Sequence, residues 1–293
     1  MKLSDTLLLI LLAAIWGSSF MFMRATAGVF GPIALITLRV GISALVLALF
    51  LLTPKRRHEF IKYWQPLAWI GIFSSAIPFC LFAYASLELS GGNVSLLNTM
   101  TPIFTALIAH LWLKDKMTSL QFLGLGISVL GLLILVWDSI DLKGSSLLAT
   151  LAGVSAPFFY GIASNSTKKY LSDVTPLTAT AGSLFFATLF MLVLLPFFMP
   201  DFSSISRVDW FYAVLLGLVC TALAYLIFFR LIHNIGPARA VSVTFLIPIF
   251  AFIWGYLFLG EVVTFRMWAA TAVVLAGMSL VLKIVSFSRV ESV

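Results

Sequence analysis

Charge is scarce in this sequence, and carboxylates are the scarcest of all. Charged residues fill 10% of the 293 positions, and only 11 are acidic. A water-soluble domain carries roughly 25% charge. With 61% hydrophobic residues, the chain has more apolar surface than a soluble core can hide. It also lacks a Walker loop, an HExxH helix, a nucleophile elbow and any cluster of Cys and His. That argues against an ATP-driven pump and against the common metalloproteases, and we expect neither cofactor nor metal. Cysteine is nearly absent. Cys80 and Cys220 each stand alone in an apolar run, where a thiol acts as a small hydrophobe, so no disulfide is expected. No acidic residue lies near the centre of an apolar run, and Glu88 comes nearest. Proton-driven carriers commonly use a deep carboxylate. Its absence points to gradient-driven movement or to coupling through a residue of another kind. Alternating strands are missing too, which excludes a membrane barrel.

What the chain does have is apolar runs of helix-spanning length. Helices are expected at Thr6–Met23, Pro32–Leu52, Pro66–Leu87, Val94–Leu113, Leu120–Trp137, Ser145–Ser166, Pro176–Phe198, Trp210–Leu231, Ala238–Leu259 and Met267–Val285. The expected class is an all-α polytopic membrane protein with ten transmembrane helices. The net charge of +7 sits in short breaks between runs and forms no basic face for nucleic acid. With the N-terminus inside, 13 of the 18 Lys and Arg fall in cytoplasmic segments and four (Arg24, Lys143, Arg207, Arg266) outside. Arg39 lies within a run. This bias places both termini in the cytoplasm of an inner-membrane protein. Ala25-Thr26-Ala27 imitates a signal-peptide cleavage site. We expect the segment to be retained, because its apolar run is long for a signal, Arg24 precedes the supposed site and a counterpart recurs later in the chain.

That recurrence runs through the whole sequence. Shifted by 146 residues, the second half falls on the first from Trp64 to about Leu135 without gaps. Trp64 meets Trp210, Gly71 meets Gly217, Phe82 meets Phe228, and Pro102-Ile103-Phe104 meets Pro248-Ile249-Phe250. Upstream the shift is 144, and Trp16-Gly17 meets Tyr160-Gly161 while Pro32 meets Pro176. We divide the chain at 1–140 and 141–293. Five helices per half is an odd number, so the halves enter the membrane from opposite sides. Transporters share this inverted-repeat plan, with the site near mid-membrane where the repeats meet.

Several motifs then resemble the EamA branch of the drug/metabolite transporter superfamily. They are Trp16-Gly17-Ser18-Ser19-Phe20, Pro32 leading into Leu38-Arg39-Val40, the paired Pro-Ile-Phe segments, and the endings Lys114-Asp115-Lys116 and Gly260-Glu261-Val262. The second ending keeps the family's Gly-Glu, while the first has Lys-Asp in its place. The resemblance implies two five-helix repeats and export or exchange of amino acids or related metabolites.

Within this frame the candidate substrate-binding residues are Trp16, Arg39, Tyr84, Asn98, Thr101, Tyr160, Tyr225 and Thr244. Arg39 lies on the order of 10 Å inside its helix at 1.5 Å per residue. A charge there either holds a substrate carboxylate through its guanidinium fork, or snorkels outward, or bonds a carbonyl or Glu88. Pro102 and Pro248 are candidate kinks, each freeing the carbonyl four residues earlier, at Asn98 and Thr244. Those polar residues either line a cavity or cap the kinks. Pro78 and Pro157 are further kink candidates. Trp16, Tyr84, Tyr160 and Tyr225 lie deep enough to wall a path. Trp64, Trp69, Trp112, Trp137, Trp210 and Trp268 fit interfacial anchors, as do His110 and His233. Asn165 lies nearer the cytoplasmic end. Gly124, Ser128 and Gly131, echoed by Ala272 and Ala276, suit close helix packing.

The leading expectation is an alternating-access carrier, not an enzyme, that exports a small polar metabolite such as an amino acid. Its partners are that substrate and the lipid bilayer, as a monomer or homodimer. The main alternative is a polytopic enzyme acting on lipid-linked substrates, whose loops are usually richer in acidic, His or Arg clusters. A scaffolding subunit is the other, and it predicts no inverted repeat.

Overall fold

The computed structural model describes residues 2–136 and 145–282. Trp137, Lys143, Lys283, Arg289 and the expected helix end at Val285 lie outside the described residues. Ten long helices make up the fold, and no strand occurs among the described residues. They are α1 (Leu3–Phe30), α2 (Pro32–Leu52), α3 (Trp64–Ala85), α4 (Gly91–Trp112), α5 (Ser119–Val136), α6 (Ser145–Tyr170), α7 (Pro176–Phe197), α8 (Arg207–Ile235), α9 (Arg239–Leu259) and α10 (Phe265–Val281). Eight are long and apolar enough to cross a bilayer, and α5 and α10 are shorter apolar helices. Side chains such as Leu45, Leu111, Val193 and Tyr256 point outward. In water that surface would drive aggregation; in a bilayer it faces acyl chains.

The helices start and stop where local chemistry dictates. Pro32 and Pro176 open α2 and α7 at the first turn, where a missing N–H costs nothing. Ser206 and Asp209 form a reciprocal capping box on α8. Gly31 and Gly236 take positive φ at chain reversals. Glu59, on the short helix Pro54–Lys62, caps α7 by accepting from the Thr175 amide at 3.2 Å and hydroxyl at 2.8 Å. Burial pushes the Glu59 carboxyl up; the Thr175 and Thr178 hydrogen bonds and nearby Lys55 outweigh it, and the carboxyl sits below the usual range.

Packing interlocks the two halves. Helix α1 lies on α8 and α9, and α6 lies correspondingly on α3 and α4. The pair α2·α8 matches α7·α3, while α2·α7 and α5·α10 are each their own counterpart. This is the contact pattern of two inverted five-helix repeats. Glycine registers it atom by atom. A Cβ on Gly71 would overlap the Ser183 carbonyl, and one on the matched Gly217 would lie 3.1 Å from the Arg39 carbonyl. Residues 183 and 39 are themselves related by the 144-residue shift.

Three expectations change in detail. Helix α1 runs through Arg24 and Ala25-Thr26-Ala27 to Phe30, so Arg24 is a helical residue rather than a loop one. Pro102 and Pro248 do not kink continuous helices, whereas Pro157 lies inside the continuous helix α6. In α4 a turn at Thr99–Met100 separates Gly91–Asn98 from Thr101–Trp112, and Pro102 opens the second piece. In α9 the 3-10 stretch Ser242–Phe245 precedes Ile247–Leu259, and Pro248 opens that piece. A missing N–H is better tolerated at a helix start than mid-helix. Finally, Ala272 and Ala276 face outward. The α5·α10 contact instead uses Gly124, Ser128 and Gly131 against Val274, Gly277 and Val281, with the Ser128 hydroxyl 3.4 Å from the Val274 carbonyl.

Candidate functional site

A cavity of about 690 Å³ lies between the repeats. Ligand sites run from roughly 300 to 1,000 Å³. It extends from Arg39 past Asn98, Tyr160 and Thr221 to Val241, Val281 and Lys168, at the ends of α9, α10 and α6 that share a face with the N-terminus of α1. That face also carries Lys55, Arg56 and Arg57, and we call it the basic face. Lys168 stands exposed at the rim, 2.7 Å from the Asp115 carboxylate.

The walls repeat. Trp16 is matched by Tyr160, Phe79 by Tyr225 and Phe82 by Phe228, and all six line the cavity. Their contacts repeat as well. Trp16 meets Tyr225 edge-on at 6.3 Å and 77°, and the matched Tyr160 meets Phe79 at 6.3 Å and 73°. Asn98 and Thr244, another matched pair, line the cavity from α4 and α9. The Thr101 hydroxyl donates to the Asn98 carbonyl at 2.8 Å, closing the group left open at Pro102. The Thr244 hydroxyl turns back to the Val241 carbonyl at 2.8 Å. The local polar side chains therefore both cap the breaks and line the cavity.

Arg39 breaks this symmetry, since its counterpart is Ser183. It is 5% exposed, so it does not snorkel. Nor does it pair with Glu88. Nε donates to the Thr221 hydroxyl at 3.0 Å, Nη1 to the Met23 sulfur at 3.5 Å, and the guanidinium lies 3.7 Å over the Phe79 ring. Thr221 is presented by a π-helical stretch of α8, Leu218–Leu223, with its hydroxyl donating to the Leu216 carbonyl at 2.9 Å. The matched stretch Ile72–Ala76 of α3 is π-helical too. Wide turns of this kind often mark functional positions. Among the described residues no carboxylate lies within 4.0 Å of Arg39.

The expected residues Trp16, Arg39, Asn98, Thr101, Tyr160, Tyr225, Thr244 and Pro102 all line this cavity. Tyr84 does not: it is 38% exposed on the outside of α3. Pro248 is buried in α9 behind the lining. Asn165 does reach the cavity, with its amide donating to the Thr105 and Gly161 carbonyls at 2.9 Å each.

Away from the basic face, the far end is held shut. Arg24 Nη1 donates to the Ser86 and Leu87 carbonyls at 2.8 and 2.6 Å, joining α1 to the end of α3. Glu261 Oε1 accepts from the Gly91 amide at 2.9 Å, joining the end of α9 to the start of α4. No sequence motif singles out Arg24, Lys168 or Thr221 as a site residue. Yet the 144-residue shift places Arg24 on Lys168, and that coincidence of cations was a usable signal.

Comparison with known proteins agrees with this architecture. An uncharacterized transporter of Bacillus subtilis, YdfC, is 27% identical over 87% of this chain and 83% of its own. A probable terminal-alkyne amino-acid exporter of Streptantibioticus cattleyicolor is 24% identical, covering 89% and 88%. A probable amino-acid metabolite efflux pump of Escherichia coli is 20% identical, covering 95% and 94%. One solved crystal structure at 14% identity covers 100% of both chains with a TM-score of 0.66, which shows the shared fold. The profile of the EamA-like transporter family matches twice, over residues 4–137 and 147–283, once in each half. With its two repeats so matched, this multi-pass membrane protein belongs to the EamA-like transporter family.

Proposed function

We propose that this chain exports a small polar metabolite, such as an amino acid or a close relative, by alternating access through the cavity between its repeats. It sits in the inner membrane with the basic face and both termini in the cytoplasm, following the Lys and Arg bias. One observation carries the reading. A cavity walled by matched residues is open at one face and shut at the other, in a scaffold whose halves are related by inversion. Exchanging the conformations of the halves turns the opening to the other side. Arg39 faces the substrate carboxylate, Asn98, Thr101 and Thr244 offer hydrogen bonds, and the aromatic walls hold the body. The amino-acid compounds in the names of two relatives agree with this substrate range. Transport is gradient-driven, in keeping with a cavity that no Asp or Glu lines among the described residues.

The test is counterflow. Liposomes holding the purified chain and a high internal pool of an amino acid or of its N-acetyl derivative should accumulate the same labelled compound from outside for at least one of the two, and liposomes holding Arg39→Ala should not. If no member of a broad metabolite panel exchanges through the wild-type chain, the carrier assignment fails.

A further inference from the structure

Resting on that reading, we infer that the substrate is an organic anion with an apolar body, and that its movement carries net charge. Among the described residues, the charged side chains lining the cavity are two cations, Arg39 and Lys168. Arg39 is the deep one, and its hydrogen bonds go to a hydroxyl and a thioether, neither of them charged. Its Nη2 has no partner among the described residues. A buried cation with no counter-ion is costly, and the cost falls when an anion enters. Thr221 and the Phe79 ring fix the guanidinium, which leaves its free edge to meet a carboxylate as a two-pronged donor.

A zwitterion meets a different situation. Its ammonium group would leave water for a cavity that no acidic side chain lines among the described residues. The face of Phe79 already carries the Arg39 guanidinium. Trp16, Phe20, Phe79, Phe82 and Phe228 offer surface to an apolar body. The composition of the site thus favours one negative charge on a hydrophobic group: an acylated or deaminated amino acid rather than the free one. One such ion leaving the cell moves one negative charge outward, down the membrane potential, and needs no deep carboxylate.

The experiment uses series with alkyl, phenyl and indolyl bodies. Each is offered as the N-acetyl amino acid (anion), the amino acid (zwitterion) and the amino-acid amide (cation). Melting shifts of the purified chain measure binding, and currents from chain-loaded liposomes measure charge movement. Within a series the anion should bind at least tenfold more tightly than the zwitterion and give a current whose sign is that of an anion. Arg39→Gln should abolish both signals, and Arg39→Lys should restore part of the binding. Equal binding of zwitterion and anion, or exchange without current, overturns this inference and leaves the carrier reading standing. Failure of every series to bind or exchange overturns both.

A second inference rests on the cation and the carboxylate found at each end. We infer that Arg24 and Lys168 are alternating latches. At the shut far end Arg24 holds the Ser86 and Leu87 carbonyls, while Glu261 caps Gly91. The repeat shifts place Arg24 on Lys168, Ser86 and Leu87 on Ile232 and His233, Glu261 on Asp115, and Gly91 on Pro237. At the open end Lys168 instead pairs with Asp115. In the opposite state, then, Lys168 leaves Asp115 for the Ile232 and His233 carbonyls, while Arg24 leaves its carbonyls for Glu261. One element has no mate: Pro237 has no N–H for Asp115. The closure at the basic face is therefore weaker by one hydrogen bond to a carboxylate, and the balance favours the state open there.

Maleimide labelling of Thr105→Cys from the basic face reports the open state, with Cys80 and Cys220 replaced by Ala. Pro237→Ala supplies the missing N–H and should shift the open-to-closed ratio about tenfold toward the closed state, which roughly halves the labelling rate, an effect that Asp115→Asn removes. Lys168→Gln should keep labelling high and stop exchange, with Lys168→Arg retaining exchange. Unchanged labelling in Pro237→Ala, or full exchange by Lys168→Gln, overturns the latch while the carrier reading survives.

Discussion

The two ends of the cavity are built from residues that the repeat places on one another, yet they do opposite things. At the far end a guanidinium joins two helices through carbonyls, and a glutamate caps a helix start. At the basic face the equivalent cation and carboxylate bond each other in the open. The difference teaches that the asymmetry of the molecule is one of conformation more than of composition. Only where composition itself differs does one end gain a fixed preference: Pro237 where the other half has Gly91, and Arg39 where the other half has Ser183.

The sharpest break of this comparison is at Arg39. Replacing it with Ala removes the buried charge and its bond to Thr221, and substrate affinity should fall on the order of ten- to a hundredfold. Ser183→Arg, which puts the cation into the other half, should not rescue it, because the Gly71 approach crowds that position. Titration by melting shift checks both. Next comes the close packing that holds each half to the other. Gly71→Ala should cost roughly 1–3 kcal/mol, since its Cβ overlaps the Ser183 carbonyl. Gly126→Ala, where nothing lies within 4 Å, should be neutral or stabilising by up to about 1 kcal/mol. Comparing their melting temperatures tests whether the shared glycine contact is structural. Weakening the far closure should be milder. Glu261→Gln keeps an acceptor for the Gly91 amide but loses the charge, and should cost about 1 kcal/mol of stability, read from the melting temperature.

The smallest effect belongs to Glu59. Its folded carboxyl lies below the usual range, so its stabilisation is present above the unfolded value of about 4.3 and is lost as pH falls through the folded one. Glu59→Gln should cost under about 1 kcal/mol at pH 7 and less at pH 3. Melting curves at the two pH values decide it.

Much of the fold was legible because membrane helices announce themselves by length and the repeat by its spacing. Pro32 and Pro176, Gly71 and Gly217, and the paired Pro-Ile-Phe segments reported two copies of one design before any contact was known. Helical phase was harder. A helix that is apolar all round gives no amphipathic signal, and so Tyr84 and Ala272 were placed inward although they face outward. Arg39 was conspicuous as a lone charge, but its partner Thr221 lies 182 residues away and depends on a π-helical turn that sequence periodicity does not encode. Arg24 read as a loop residue because α1 continues seven residues past its expected end at Met23.

The central claim is that the two ends exchange conformations. Spin labels on Glu88 and Val262 report the far end, and labels on the matched residues Asn234 and Lys116 report the basic face. Pulsed distance measurements in liposomes should give a short far-end and a long basic-face separation as the main population, with a minor population in which the two are reversed and which grows with substrate. Two fixed separations, or two that lengthen and shorten together, would contradict the account.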